Sequence, residues 1–205
     1  MLRQLLLIVL LTAPAVSTAK PVIMVLGDSL SASYGIDQKD GWVSLLEQRL
    51  NTNGFLYTVI NTSISGETTR GGLSRFDKLL KQHNPEIVII ELGANDGLRG
   101  LSLESMYTNL AKIIEQSLSH EADVLLTGMR IPPNYGKKYT EQFADVYHQL
   151  AQRYKVNLVP FLLSGIENNS TMFQTDRLHP IVDAQPVILD NVWTHLVRIL
   201  AKNSG

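Results

Sequence analysis

Five short apolar runs, each followed by a polar loop and a segment of helical spacing, constrain this chain more than any other feature in it. The first, residues 22–26 (VIMVL), is continuous and ends at Gly27. Similar runs stand at residues 57–60, 87–90, 124–126 and 156–159. An apolar run without polar alternation reads as a strand covered on both faces, as in a parallel sheet. Between the runs, Trp42, Leu45, Leu46 and Leu50 recur at three and four, as do Leu73, Phe76, Leu79 and Leu80. A third helix is marked by Leu103, Met106, Leu110, Ile113, Ile114 and Leu118. A fourth is marked by Phe143, Val146, Tyr147, Leu150 and Ala151, and a last one by Val187, Ile188, Val192, Leu196, Ile199 and Leu200. Strands alternating with helices predict an open α/β sheet, and right-handed crossovers place helices on both of its faces. The 205 residues suit one such domain, with no composition break or internal repeat to divide it.

The first nineteen residues read as an address rather than as part of that domain. Arg3 is the only charge before Lys20, residues 5–11 are apolar, and Ser17-Thr18-Ala19 places small residues at the -3 and -1 positions of a cut. This is the layout of a secretory signal peptide. A membrane anchor is the rival, but the apolar run is short against the ~20 residues a spanning helix needs. The expected division is therefore a signal peptide over 1–19 and a single folded domain over 20–205, periplasmic or secreted and with no stable membrane anchor.

Composition removes several functions. With 18 Lys+Arg against 19 Asp+Glu, the net charge of -1 gives no general attraction to nucleic acid. The absence of cysteine excludes disulfides, thiolate metal sites and a cysteine nucleophile.

In an open α/β sheet, ligands bind beyond the carboxyl ends of the strands. The residues just after the first three runs are Gly27-Asp28-Ser29-Leu30-Ser31, then residues 61–68 including Gly66, then Glu91-Leu92-Gly93-Ala94-Asn95-Asp96-Gly97. The long segment after the fifth run contains Asp176-Arg177-Leu178-His179-Pro180. Ser29 is a candidate nucleophile, His179 its base, and Asp176 the carboxylate that orients the imidazole. The Ser29 and Gly66 N–H groups and the Asn95 amide are candidate oxyanion donors. Each block alone has a plainer reading. Gly-Asp-Ser suits a turn or a helix cap, Asn95-Asp96-Gly97 suits a turn, and Glu91 suits pairing with a neighbouring cation at the sheet end. Their joint occurrence, in this order, favours catalysis.

The four blocks together resemble the SGNH (GDSL) hydrolase family, whose signature letters fall on Ser29, Gly66, Asn95 and His179. Longer runs (Gly27-Asp28-Ser29-Leu30-Ser31-Ala32, residues 92–100, and Pro133-Asn134-Tyr135-Gly136) are similar to its bacterial periplasmic esterase and thioesterase branch. The resemblance covers about residues 22–200. It implies a flavodoxin-like three-layer α/β/α sandwich with a five-stranded parallel sheet of order 2-1-3-4-5. That order would gather Ser29, Gly66 and Asn95 at the switch point. The stretch from 161 to 176 would then be the reach that returns His179 from the far edge. The resemblance also implies a monomeric serine esterase of lipid metabolism that needs no cofactor or metal. Its substrates would be small molecules: aryl esters, fatty acyl thioesters and lysophospholipids.

The substrate side is expected to involve Asp28, Leu30, Leu98, Ile131, Pro133 and Tyr135, with Leu101 and Leu103 on the same loops. Gly97 and Gly100 would let the first loop move as a lid. A carbohydrate O-acetyl esterase of the same fold is the alternative, and it predicts a shallow, polar site. A nucleotide-binding module is disfavoured, because no Gly-x-Gly-x-x-Gly or P-loop follows any run.

Overall fold

The computed structural model describes residues 20–203. The expected signal peptide, and the cut after Ala19, lie outside the described residues. Within them are five strands: β1 Val22–Gly27, β2 Thr58–Asn61, β3 Ile87–Glu91, β4 Asp123–Thr127 and β5 Asn157–Val159. All pair in parallel, in the order β2-β1-β3-β4-β5. Helices α1 Trp42–Thr52 and α6 Gln185–Asn203 pack together on one side. Helices α2 Thr69–His83, α4 Leu103–Ser119 and α5 Lys137–Tyr154 pack in series on the other, with the short α3 Ala94–Leu98 against α4.

Burial follows sheet position. Every residue of β3 is buried, as is β1 after Val22, because both strands have neighbours on either side and helices above and below. β2 is an edge strand and only partly covered, so residues 57–60 are not the doubly buried strand their apolar character predicts. β5, the other edge, is exposed at Asn157 and buried at Val159. Leu118 is also displaced from expectation: it falls on the solvent side of the last turn of α4 and is 41% exposed.

Two loop readings change. Residues 94–98 are not a turn but a helical turn and a half, started by Gly93 at φ +117°. Pro133–Tyr135 is a 3-10 turn within the expected loop. Among the described residues, no helix is long and apolar enough to cross a membrane.

Candidate active site

The parallel register brings the carboxyl ends of β1 and β3 level, pairing Gly27 with Glu91. The chain leaves β1 in a tight loop, and Ser29 stands half-buried at its start. His179 arrives from the far edge of the sheet. Its Nε2 lies 2.9 Å from Ser29 Oγ, and its Nδ1 lies 2.7 Å from Asp176 Oδ2. Asp176 Oδ1 also accepts the N–H groups of Leu178 at 2.9 Å and His179 at 3.0 Å. Arg177 takes a left-handed conformation, φ +58°, and this closes the turn that lets one carboxylate reach both backbone and ring. The hydrogen bond from the His179 side chain holds the Asp176 carboxyl down at about 2.

Two residues that the sequence reading passed over secure this return. Gln174 Nε2 donates to Tyr34 O at 2.8 Å, and Gln174 N donates to His179 O at 2.8 Å. The Tyr34 ring lies 4.4 Å from the His179 ring, centroid to centroid. The loop after β1 and the loop carrying His179 are thereby stitched together. Neither Tyr34 nor Gln174 belongs to a recurring pattern, so only long-range contact reveals them.

The Asn95 amide is held at both ends. Its Nδ2 donates to Asp28 Oδ2 at 2.9 Å, and its Oδ1 faces Arg99 Nη2 at 3.5 Å. One Nδ2 hydrogen is left for another acceptor. The same Arg99 donates to Gly66 O at 2.8 Å, so it joins the β2 loop to α3. Gly66 has φ +78°, a backbone conformation that side chains disfavour. Gly66 is not on the wall of the cavity that Ser29, Asn95 and His179 share. Asp96 completes the junction by accepting from Thr69 N at 2.8 Å and Thr69 Oγ1 at 2.6 Å.

Glu91 does not pair with a cation. It is wholly buried beneath the β1 loop, where Oε2 accepts from Ser31 Oγ at 2.7 Å and Asp28 N at 3.2 Å. Gly27 makes room for it, since a Cβ there would stand 2.8 Å from Glu91 Oε2. Burial, and after it the charge on Asp28, pushes Glu91 well above the usual carboxylate range. Burial also pushes Asp28 up to about 6.

These shifts carry a stability prediction. An unfolded aspartate titrates near 3.8, so folded Asp28 binds its proton more tightly. The resulting stabilisation is complete below 3.8 and is lost as pH rises through about 6. Glu91 acts in the same sense. Burial lowers the pKa of His195, which acts in the opposite sense by favouring the folded state as pH rises. Comparison with Asp28→Asn removes the Asp28 contribution together with the push its charge exerts on Glu91. Thermal melts at pH 5 and pH 7.5 are expected to show wild type gaining on the order of 5 °C more than the variant at the lower pH. Equal pH dependence in the two proteins contradicts the expectation.

Beside Ser29 opens a cavity of about 440 Å³. Its walls include Leu30, Leu98, Ile131, Pro133, Phe161 and Phe173, with Asp28, Arg130 and Arg177 also on the wall. Tyr135 is not on that wall. Its hydroxyl donates to Leu98 O at 2.8 Å, so it braces the loop instead. Leu101 is 43% exposed and Leu103 begins α4, so neither lines the cavity. Among the described residues, no group of three or more His, Asp or Glu side chains gathers to hold a metal ion.

Residues 25–184 match the GDSL-like Lipase/Acylhydrolase family. The chain belongs to this family. Among relatives of this lipase/acylhydrolase is the esterase TesA of Pseudomonas aeruginosa, 46% identical over 94% of both chains. Another is the thioesterase 1/protease 1/lysophospholipase L1 of Escherichia coli K12, 40% identical over 90% of this chain and 86% of that one. Among solved structures, the psychrotrophic esterase EstA from Pseudoalteromonas sp., inhibited by monoethylphosphonate, superposes with a TM-score of 0.84. It is 41% identical, covering 89% of this chain and 100% of that one. The superposition on EstA covers most of the α/β/α sandwich, so the likeness extends beyond the four short blocks.

Proposed function

We propose that the protein hydrolyses acyl esters and thioesters through an acyl-enzyme on Ser29. The observation that carries this reading is the hydrogen-bonded chain from Ser29 Oγ through the His179 ring to Asp176, opening onto an apolar cavity. In the first step His179 Nε2 takes the Ser29 proton as Oγ attacks the carbonyl carbon. Asp176 holds the ring in the required tautomer and stabilises its positive charge. In this reading the Ser29 N–H and the free Asn95 hydrogen stabilise the developing oxyanion, with the Gly66 N–H as third donor although Gly66 lies off the cavity wall. Collapse breaks the bond to the leaving group, and His179 passes its proton to the departing alcohol or thiol. Water then attacks the acyl-enzyme, giving its proton to His179, which returns it to Ser29 as the acid leaves.

Fatty acyl thioesters, aryl esters and lysophospholipids suit this cavity, which accepts an acyl chain along Leu30, Leu98, Ile131 and Phe161. No observation favours the carbohydrate O-acetyl esterase, whose shallow polar site would have little use for these walls. A single chain supplies every group the reaction requires, which fits a monomer acting on a small-molecule substrate. Residues 1–19 are read as a signal peptide directing export, on the strength of Arg3, the apolar run and Ser17-Thr18-Ala19.

The test is a chain-length series of p-nitrophenyl esters with the purified domain. Burying a methylene is worth ~0.8 kcal/mol, so kcat/KM is expected to rise about fourfold per methylene until the cavity is filled. A series that peaks at the acetyl ester and falls thereafter would favour the O-acetyl esterase.

A further inference from the structure

Glu91 takes no part in the acyl transfer described above, yet it is the most deeply enclosed charge-capable group near it, with no exposed surface. One carboxyl oxygen, Oε2, collects the Ser31 hydroxyl and the Asp28 N–H. The other, Oε1, is buried with no N–H or O–H donor facing it. An oxygen in that position is explained if it carries the proton and is itself the donor. Asp28 is the acceptor at hand, since its carboxyl lies close enough to that of Glu91 for the two side chains to interact. Asp28 uses Oδ1 to accept from Leu30 N at 3.1 Å and Oδ2 to accept from Asn95 Nδ2 at 2.9 Å. The Asp28 residue thus links the end of β3 to the amide beside Ser29, its N–H donating to Glu91 Oε2 and its Oδ2 accepting from Asn95.

We propose that Glu91 is a positioning residue for acyl transfer: a buried acid that donates to Asp28, grips the β1 loop through Ser31, and thereby sets the direction of the Asn95 amide. The inference rests on the reading of Asn95 as an oxyanion donor. Preorganised donors contribute to rate in proportion to how well they are aimed, and the residues behind them do the aiming. In a buried network, losing one member leaves the others without partners and free to turn. Glu91 acts in its neutral form, so an amide of the same shape can replace it. The Gln Nε2 would donate to Asp28, and its carbonyl oxygen would accept from Ser31 and Asp28 N.

The experiment compares Glu91→Gln with Glu91→Met, which keeps the length of the side chain and removes its polar atoms. Steady-state kinetics on a p-nitrophenyl ester are run at pH 7.5, with circular dichroism and thermal melts on each variant. Glu91→Met is expected to lower kcat about tenfold or more with KM little changed, and Glu91→Gln to retain at least about a third of wild-type kcat. In an Asn95→Ala background, Glu91→Met is expected to cost almost nothing further, because the amide it aims is gone. A folded Glu91→Met with wild-type kcat overturns the proposal, as does a Glu91→Gln no better than Glu91→Met. Full additivity in the double variant does the same. Should Glu91→Met not fold, Ser31→Ala removes one of the two grips without touching Asp28 or Asn95. It is expected to lower kcat about threefold at constant KM, and an unchanged kcat overturns the proposal. If Asn95→Ala itself keeps full activity, the oxyanion reading fails, which is a separate result from failure at Glu91 alone.

Discussion

Ser29→Ala is expected to reduce ester hydrolysis by about 10⁴-fold or more, with the fold unchanged. The hydroxyl it removes stands 2.9 Å from His179 Nε2 and makes no contact that supports the core. Ser29 is half-buried and lies just past the end of β1, so loss of one oxygen leaves neither a cavity nor an unpaired buried donor. The melting temperature should therefore stay within about 1–2 °C of wild type. His179→Ala should cost activity on a similar scale, and the pair of changes should cost little more than either one, because in the proposed mechanism the two residues act as a unit. The check is p-nitrophenyl hexanoate hydrolysis at saturating substrate, beside a thermal melt of each protein. A folded Ser29→Ala that still turns over at a tenth of the wild-type rate would falsify the acyl-enzyme reading.

Asn95→Ala is the second large effect expected. Oxyanion donors are worth about 10²–10³ in kcat, because their alignment is already in place when charge develops on the substrate oxygen. The Asn95 amide is fixed between Asp28 Oδ2 and Arg99 Nη2, so little reorganisation is needed. KM should change little, since the ground-state carbonyl uses this donor weakly. Stability should fall by about 1–2 kcal/mol, because Asp28, which is 1% exposed, loses one of its hydrogen-bond donors. The measurement is kcat and KM separately, with the melt as a control. An equal rise in KM at unchanged kcat would place Asn95 in substrate binding rather than in stabilising the oxyanion.

Much of the fold was legible because its causes are local. The apolar runs at 22–26 and 87–90 become the interior strands β1 and β3, and the helical spacings become α1, α2, α4, α5 and α6. Where the reading slipped, the reason is position in the sheet or in the tertiary packing. Residues 57–60 have the composition of a buried strand, but β2 lies at an edge and is only partly covered. Residues 94–98 contain an Asn-Asp-Gly that suits a turn, but Asp96 binds Thr69 across the junction and the segment closes as α3. The sequence suits Glu91 to a neighbouring cation at the sheet end. The chain instead turns it inward under the β1 loop, where a hydroxyl and an amide take that place.

The candidate site divides along the same line. Ser29, Gly66, Asn95 and His179 stand out in the sequence because each follows a strand-like run or sits in a short motif, and those signals span only a few residues. Tyr34 and Gln174 carry no such signal, and Glu91 and Arg99, though they sit in or beside the motifs, carry none for the partners they take. Their roles come from neighbours 33 to 140 residues away, such as Gln174 beside Tyr34 and Arg99 beside Gly66. The sequence by itself determined the alternation of strand and helix, and with it an open parallel sheet whose carboxyl edge is the place for chemistry. Only the tertiary structure decided how that chemistry is aimed: which oxygen of Asp28 faces Asn95, which side of Ser29 the imidazole approaches, and which carboxyl is sealed beneath the loop. Periodicity is a property of neighbours in the chain, whereas hydrogen-bond direction and burial are properties of neighbours in space.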